Sequence, residues 1–172
     1  MTFEDLNKNI ILMTEFTLKW RFTEEKYDLL PEQHIAELKP LNKTGAEFLA
    51  DYLDNCWIHS NEPFKNGLFR NLDEIEILEN NKKKITKWLY QRAIPFDKKV
   101  FLSWDGQNGM ITKWKFVLKY WDSIFYGGSD DLTVFDQSLE WALLFAHYDK
   151  IFFGTNKDYV LKTEFDEKVM QF

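Results

Sequence analysis

"YWDSIFYGGSDDLTVF", residues 120–135, is the stretch on which the fold turns. Its first half continues a helical stripe. Ile111, Trp114, Leu118, Trp121 and Phe125 recur at steps of three, four, three and four, and Val117 and Ile124 widen the face. Its second half opens a short apolar run, Leu132–Asp136, of strand type. Between them stand Gly127, Gly128, Ser129, Asp130 and Asp131. A glycine loop that cradles phosphate precedes a helix, whose N-terminus offers free N–H groups. Here the glycines follow a helix, where the departing chain needs a left-handed residue. The electronegative helix end also disfavours anions. A calcium loop of the EF-hand type spaces its acids alternately and ends in glutamate, and that spacing is missing. These residues therefore read as a turn, with Asp130 and Asp131 exposed.

Outward from the turn the pattern changes on each side. Downstream, Trp141–His147 and Lys150–Phe153 are two further strand runs, with Tyr148-Asp149 as a tight hairpin between them. Upstream, Lys99–Trp104 reads as a buried strand, and Asp105 to Gly109 as a loop rich in turn formers. Asn81 is placed to cap a helix that runs to about Ala93 and ends before Pro95, with Ile85, Trp88 and Leu89 inward. Phe48, Leu49, Tyr52, Leu53 and Cys56 predict a helix over Thr44–Trp57, and Pro31 begins a short one to Leu38. Residues 16–22, FTLKWRF, alternate Phe16, Leu18, Trp20 and Phe22 and predict a half-buried strand. Residues 58–72 read as loop, and Asp73–Leu78 leaves strand and helical turn both open. Helices followed by runs of strand predict one α+β domain over residues 1–172. Its N-terminal and central helices would pack on an antiparallel sheet that includes a C-terminal meander.

Composition bounds the function. The chain has 172 residues, 17% of them aromatic, enough to bury a substantial core dominated by large rings. No run approaches the ~20 apolar residues of a membrane span. The opening MTFEDLNKNIILMTEF places acids where a signal peptide carries basic residues. Cys56 is the one cysteine, which fits a reducing compartment, so the expected location is cytoplasmic. Residues 1–120 carry 18 acids and 18 Lys or Arg, whereas residues 121–172 carry 10 acids and 4 lysines, the whole of the net −6. An acidic final third repels phosphate backbones and attracts basic partners.

Few side chains suggest catalysis. No G-x-S-x-G elbow, Walker loop, dinucleotide fingerprint or H-E-x-x-H helix occurs. Asp51, Asp54, Cys56 and His59 form the densest ligand-like cluster, but they supply only half of a closed zinc site. Cys56, flanked by Leu53 and Trp57, reads as a buried and inert thiol. His34 reads as a surface residue, and His147 as a structural histidine on the strand face of Leu143 and Phe145. Lys82, Lys83, Lys84 and Lys87 read as a solvated helix start beside Glu74, Glu76 and Glu79, not as an RNA contact.

The C-terminal half carries a resemblance. Tyr120, Trp121 and Phe125, then Ser129, Asp130 and Asp131, then Trp141, His147, Phe152, Phe153 and Gly154 follow one another in the order found in a group of small bacterial proteins. That group is similar in style to immunity proteins encoded beside polymorphic or contact-dependent toxins. The resemblance covers roughly residues 100–156. Asp149 stands where glutamate is expected, and Gly127-Gly128 where Pro or Ser is commoner. It implies a non-catalytic protein without cofactor or metal that binds and neutralises a cognate toxin, a basic nuclease domain for example. It implies no nucleic-acid or membrane partner. The expected contacts are Tyr126, Asp130, Asp131, Asp136, Glu140 and Tyr148, tyrosine anchors among carboxylates. Two alternatives stand beside it: an adaptor domain unrelated to toxins, and a small metal-dependent hydrolase using Asp130, Asp131 and His147.

Overall fold

A computed structural model describes residues 1–27, 29–162, 164–165 and 170–172. Two short helices, α1 (Trp20–Thr23) and α2 (Glu32–Ile35), precede β1 (Lys39–Pro40) and α3 (Lys43–Asn55). Then follow β2 (Asn71–Glu76), α4 (Lys82–Tyr90), β3 (Lys99–Ser103), β4 (Gly109–Lys113) and α5 (Trp114–Ile124). The chain closes its sheet with β5 (Leu132–Phe135), β6 (Trp141–Ala146) and β7 (Lys150–Thr155). The strands form one antiparallel sheet of 7, in the order β1-β4-β3-β5-β6-β7-β2. The α+β class and the C-terminal meander β5–β6–β7 are as the sequence predicts. Among the described residues no helix is long and apolar enough to cross a membrane.

Alternation along the strands builds two cores from one sheet. Val100, Leu102, Val134, Leu143, Phe145, Ile151 and Phe153 face α4 and α5 and join Trp88, Leu89, Trp114, Val117 and Trp121. The intervening residues Phe101, Phe135, Ala142, Leu144, Ala146 and Phe152 face the other way, toward Leu49 and Leu53 of α3. Both faces are covered, and so β6, WALLFA, is buried along its whole length. Helix α3 starts from a true cap, since the Asn42 side chain accepts from the Gly45 N–H at 2.9 Å. Helix α5 leaves β4 with no intervening loop. Its first free N–H groups, of Trp114 and Lys115, donate to the carbonyls of Lys98 and Phe96 at 2.8 and 2.9 Å.

Several expectations change here. Residues 16–22 are not a strand. Lys19, Arg21 and Phe22 donate backward to the carbonyls of Phe16, Leu18 and Lys19, and Trp20–Thr23 is a helical turn. Phe16 and Phe22 are still buried, because a tight turn inserts two rings into the core as well as a strand edge does. Ile111 belongs to β4 and to the α3-side core, so the helical stripe begins only at Trp114. Asn81 does not cap α4; its side chain accepts from Leu78 N–H and donates to the Glu76 carbonyl, closing the turn after β2. His34 is half-buried against Phe116, with its Nδ1 on the Tyr120 hydroxyl. The ambiguous stretch Asp73–Leu78 supplies most of strand β2. The outer strands are β1, two residues that end in proline, and β2, which carries Asp73, Glu74 and Glu76.

Candidate functional site

The glycine turn first orders its two aspartates in opposite ways. Helix α5 ends through an extended Phe125, so no left-handed residue closes it as the sequence suggests, and Gly128 takes that conformation, at φ 82°, in the turn that follows. Asp130 then turns inward. Its oxygens receive both terminal nitrogens of Arg21 at 2.5 and 2.9 Å, together with the Tyr126 N–H and the Ser129 hydroxyl. The Asp130 side chain is 9% exposed and that of Arg21 5%, which corrects the expectation of an exposed Asp130. Asp131 turns outward and holds His147 twice, accepting from its backbone N–H at 2.9 Å and lying 3.0 Å from its Nδ1. His147 is thereby drawn out of β6 into a three-residue turn, His147-Tyr148-Asp149, with Asp149 at φ 60°. It is solvent-exposed and not on the apolar face shared by Leu143 and Phe145.

Asp131 and His147 form part of the rim of a cleft of about 610 Å³ on the α3 side of the sheet. Ser103 at the end of β3 and Thr133 of β5 lie at its base, and they are direct partners across the β3–β5 pair. Ala50, Leu53 and Asp54 of α3 make one wall, and His59, Asn61, Glu62 and Pro63 another. Trp104, Asp105 and Gly106, just after β3, close a third side, and Leu144 and Ala146 of β6 lie beyond β5 on the other. Asp54, Glu62, Asp105 and Asp131 are all exposed carboxylates, and none of the described lining residues is Lys or Arg.

The base of the cleft is ordered by one histidine. His59 Nδ1 lies 2.8 Å from the Pro63 carbonyl, which can only accept, so Nδ1 carries the proton. Its Nε2 is then a bare acceptor in the neutral ring, and the Thr133 hydroxyl donates to it at 2.8 Å. The cleft wall desolvates the ring and lowers its pKa; the Pro63 hydrogen bond and the charges of Asp131 and Asp54 only partly oppose this. The neutral form, and with it this hydroxyl direction, is favoured. Ser103 is 6% exposed, and among the described residues nothing hydrogen-bonds its hydroxyl. At the mouth, the Tyr148 hydroxyl donates to Glu62. Burial and the Glu62 carboxylate together push that phenol up to about 12.

Of the expected contact residues, the structure brings Asp131 to this cleft, and Tyr148 reaches it only through its hydroxyl on Glu62. Tyr126 is exposed on the neighbouring turn, packed edge-on against Trp20. Asp136 is 2% exposed and accepts from Trp141 Nε1 at 3.0 Å, Lys98 Nζ at 2.9 Å and the backbone and hydroxyl of Ser138, so it is not a surface contact. Glu140 is exposed and paired to Lys157 at 2.7 Å, next to β6 at the end of β5 opposite Asp131. Of Asp130, Asp131 and His147, the structure pairs Asp131 with His147 and ties Asp130 to Arg21 instead. Among the described residues no three of His, Cys, Asp and Glu are placed to hold a metal. Sequence reasoning missed Ser103, Thr133, Glu62 and Asp105, and treated His59 only as a metal candidate. The available clue was chemical: Ser103 and Thr133 are hydroxyls at inward positions, two residues from Phe101 and Phe135 on the same strand faces. Compared with protein-family models, curated proteins and solved structures, the chain matches none of them.

Proposed function

We propose that this chain is a non-catalytic immunity-type protein that works in the cytoplasm by binding a basic toxin domain through the acidic cleft and its rim. One observation carries the reading: the cleft is lined by four exposed carboxylates with no Lys or Arg among the described lining residues. Such a wall attracts a cationic surface at long range and repels anionic ones. Exposed aromatics lie close by, with Trp57 just beyond α3 66% exposed and Tyr148 40% exposed, and these are the ring types that anchor interfaces. The sequence resemblance to toxin-immunity proteins points the same way. Neutralisation of this kind needs complementarity and no reactive group, so no cofactor is required.

Co-expression with the toxin domain encoded beside it is expected to restore growth of a host that the toxin alone arrests. The two chains are then expected to co-elute, with an affinity that falls as salt rises. Reversing two rim charges, Glu62→Lys with Asp131→Lys, is expected to weaken that complex at least tenfold. Failure of both rescue and co-elution would remove the toxin reading. A basic partner that binds the same rim without any growth effect would leave an adaptor.

A further inference from the structure

The base of the cleft has more definition than charge attraction requires. Ser103 is nine-tenths buried, yet its hydroxyl opens into the cleft with no partner among the described residues. A hydroxyl in that state is met only by the water of the cleft and is free to bond a ligand group in its place. Thr133 is its cross-strand neighbour, and its proton is committed to His59 Nε2, so the Thr133 oxygen presents only lone pairs to the cleft. Two acceptors side by side, below a ring of carboxylates and with no cation in the lining, make a receptor for a donor-rich cation. The remaining walls are apolar: Leu53, Leu144 and Ala146 would lie along an aliphatic stem.

We infer that this cleft receives one basic side chain, a lysine or an arginine projecting from the partner protein, with its charged head on Ser103 and Thr133. The inference rests on the partner-binding reading above and adds what the partner must insert. Other bases, such as free diamines, share the head-group chemistry, and the experiment separates them.

The test is a titration of the intact chain followed by amide and imidazole NMR shifts. The probes are Ac-Gly-Lys-Gly-amide, Ac-Gly-Arg-Gly-amide, the neutral norleucine tripeptide and putrescine. The Lys or Arg tripeptide is expected to saturate, with a dissociation constant on the order of 1 mM, as suits a few contacting atoms. Shifts should centre on Ser103, Thr133 and the His59 ring, and the norleucine peptide should give none. Ser103→Ala and Thr133→Val are each expected to weaken binding about tenfold, the effect of one hydrogen bond to a charged group. Glu62→Gln, on the exposed rim and safe for the fold, is expected to weaken it several-fold and reduce its salt sensitivity. Three results would overturn the inference: equal binding of norleucine, unsaturable shifts spread over the acidic surface, or affinity unchanged in all three variants. Putrescine binding tenfold tighter than either tripeptide would overturn the assignment to a partner's side chain. Growth rescue without tripeptide binding would sink this inference alone, and tripeptide binding without rescue would sink the toxin reading alone.

Discussion

Arg21 and Asp130 form an ion pair that is buried on both sides, and each is tied to backbone as well. Arg21 donates to the Ile124 carbonyl at 3.0 Å, and Asp130 accepts from the Tyr126 N–H at 2.9 Å, so the pair fastens α1 to the exit of α5. The Nε of Arg21 is buried and has no hydrogen-bond partner among the described residues. A buried pair gains little over an apolar substitute, but either charge left alone is costly. Arg21→Met or Asp130→Asn alone is expected to cost about 3–5 kcal/mol. Arg21→Met with Asp130→Asn, which removes both charges and keeps the acceptor for Tyr126, should recover most of that loss. Urea denaturation of the cycle measures it, and simple additivity of the two losses would show that the residues act independently. Asp130 and Asp131 look alike in the sequence, as adjacent acids after glycines. Their difference is set by Arg21, more than 100 residues away in the chain, and no local pattern carries that information. The same limit hid the base of the cleft, because Ser103 and Thr133 meet only once β5 pairs with β3.

At the scale of single elements, periodicity was readable where a long apolar stripe met clear punctuation. Helix α4 before Pro95 and the strands β5 and β6 lie within the segments that the sequence marks out, while α3 starts one residue earlier, at Lys43, and β7 runs two residues further, to Thr155. Strand β4 was hidden because it runs into α5 without a glycine, a proline or a polar gap. Strand β2 was obscure because only Ile75 of its six residues is buried, which leaves little alternation to read. Gly154 in β7 has a specific reason to be glycine. A Cβ there would be driven into the Phe69 ring. Gly154→Ala is therefore expected to cost about 1–3 kcal/mol as an overpacked site. The matching drop in Tm is roughly 2–12 °C for a chain of this size. In a Phe69→Ala background the same substitution should cost much less. An equal cost in both backgrounds, read by thermal melts, would point to backbone preference instead of the ring.

Over the whole molecule, every central strand serves both cores, so neither face can loosen without disturbing the other. Asp136, just past β5, couples this architecture to pH. Burial alone would raise its pKa, but the hydrogen bonds from Ser138, Lys98 and Trp141 outweigh it and hold the carboxyl below its ordinary value of 3.8. Its folded value lies below the unfolded one. Its contribution is therefore complete above the unfolded value and is lost as pH falls through the folded one. Acid unfolding should accordingly take far-UV and near-UV signals away in a single transition, and Asp136→Asn should make the acid limb shallower. Two separate transitions would show that the cores melt independently. The outer strands carry a further consequence. One is cut to two residues ending in proline, and the other displays Asp73, Glu74 and Glu76. Proline has no N–H to offer a newcomer, and β2 presents polar ion-paired side chains, Asp73 on Arg92 and Glu74 on Lys150, instead of a flat apolar edge. The molecule is thereby protected from edge-to-edge fibril growth. For the same reason, both sheet edges disfavour the addition of a strand from any other chain.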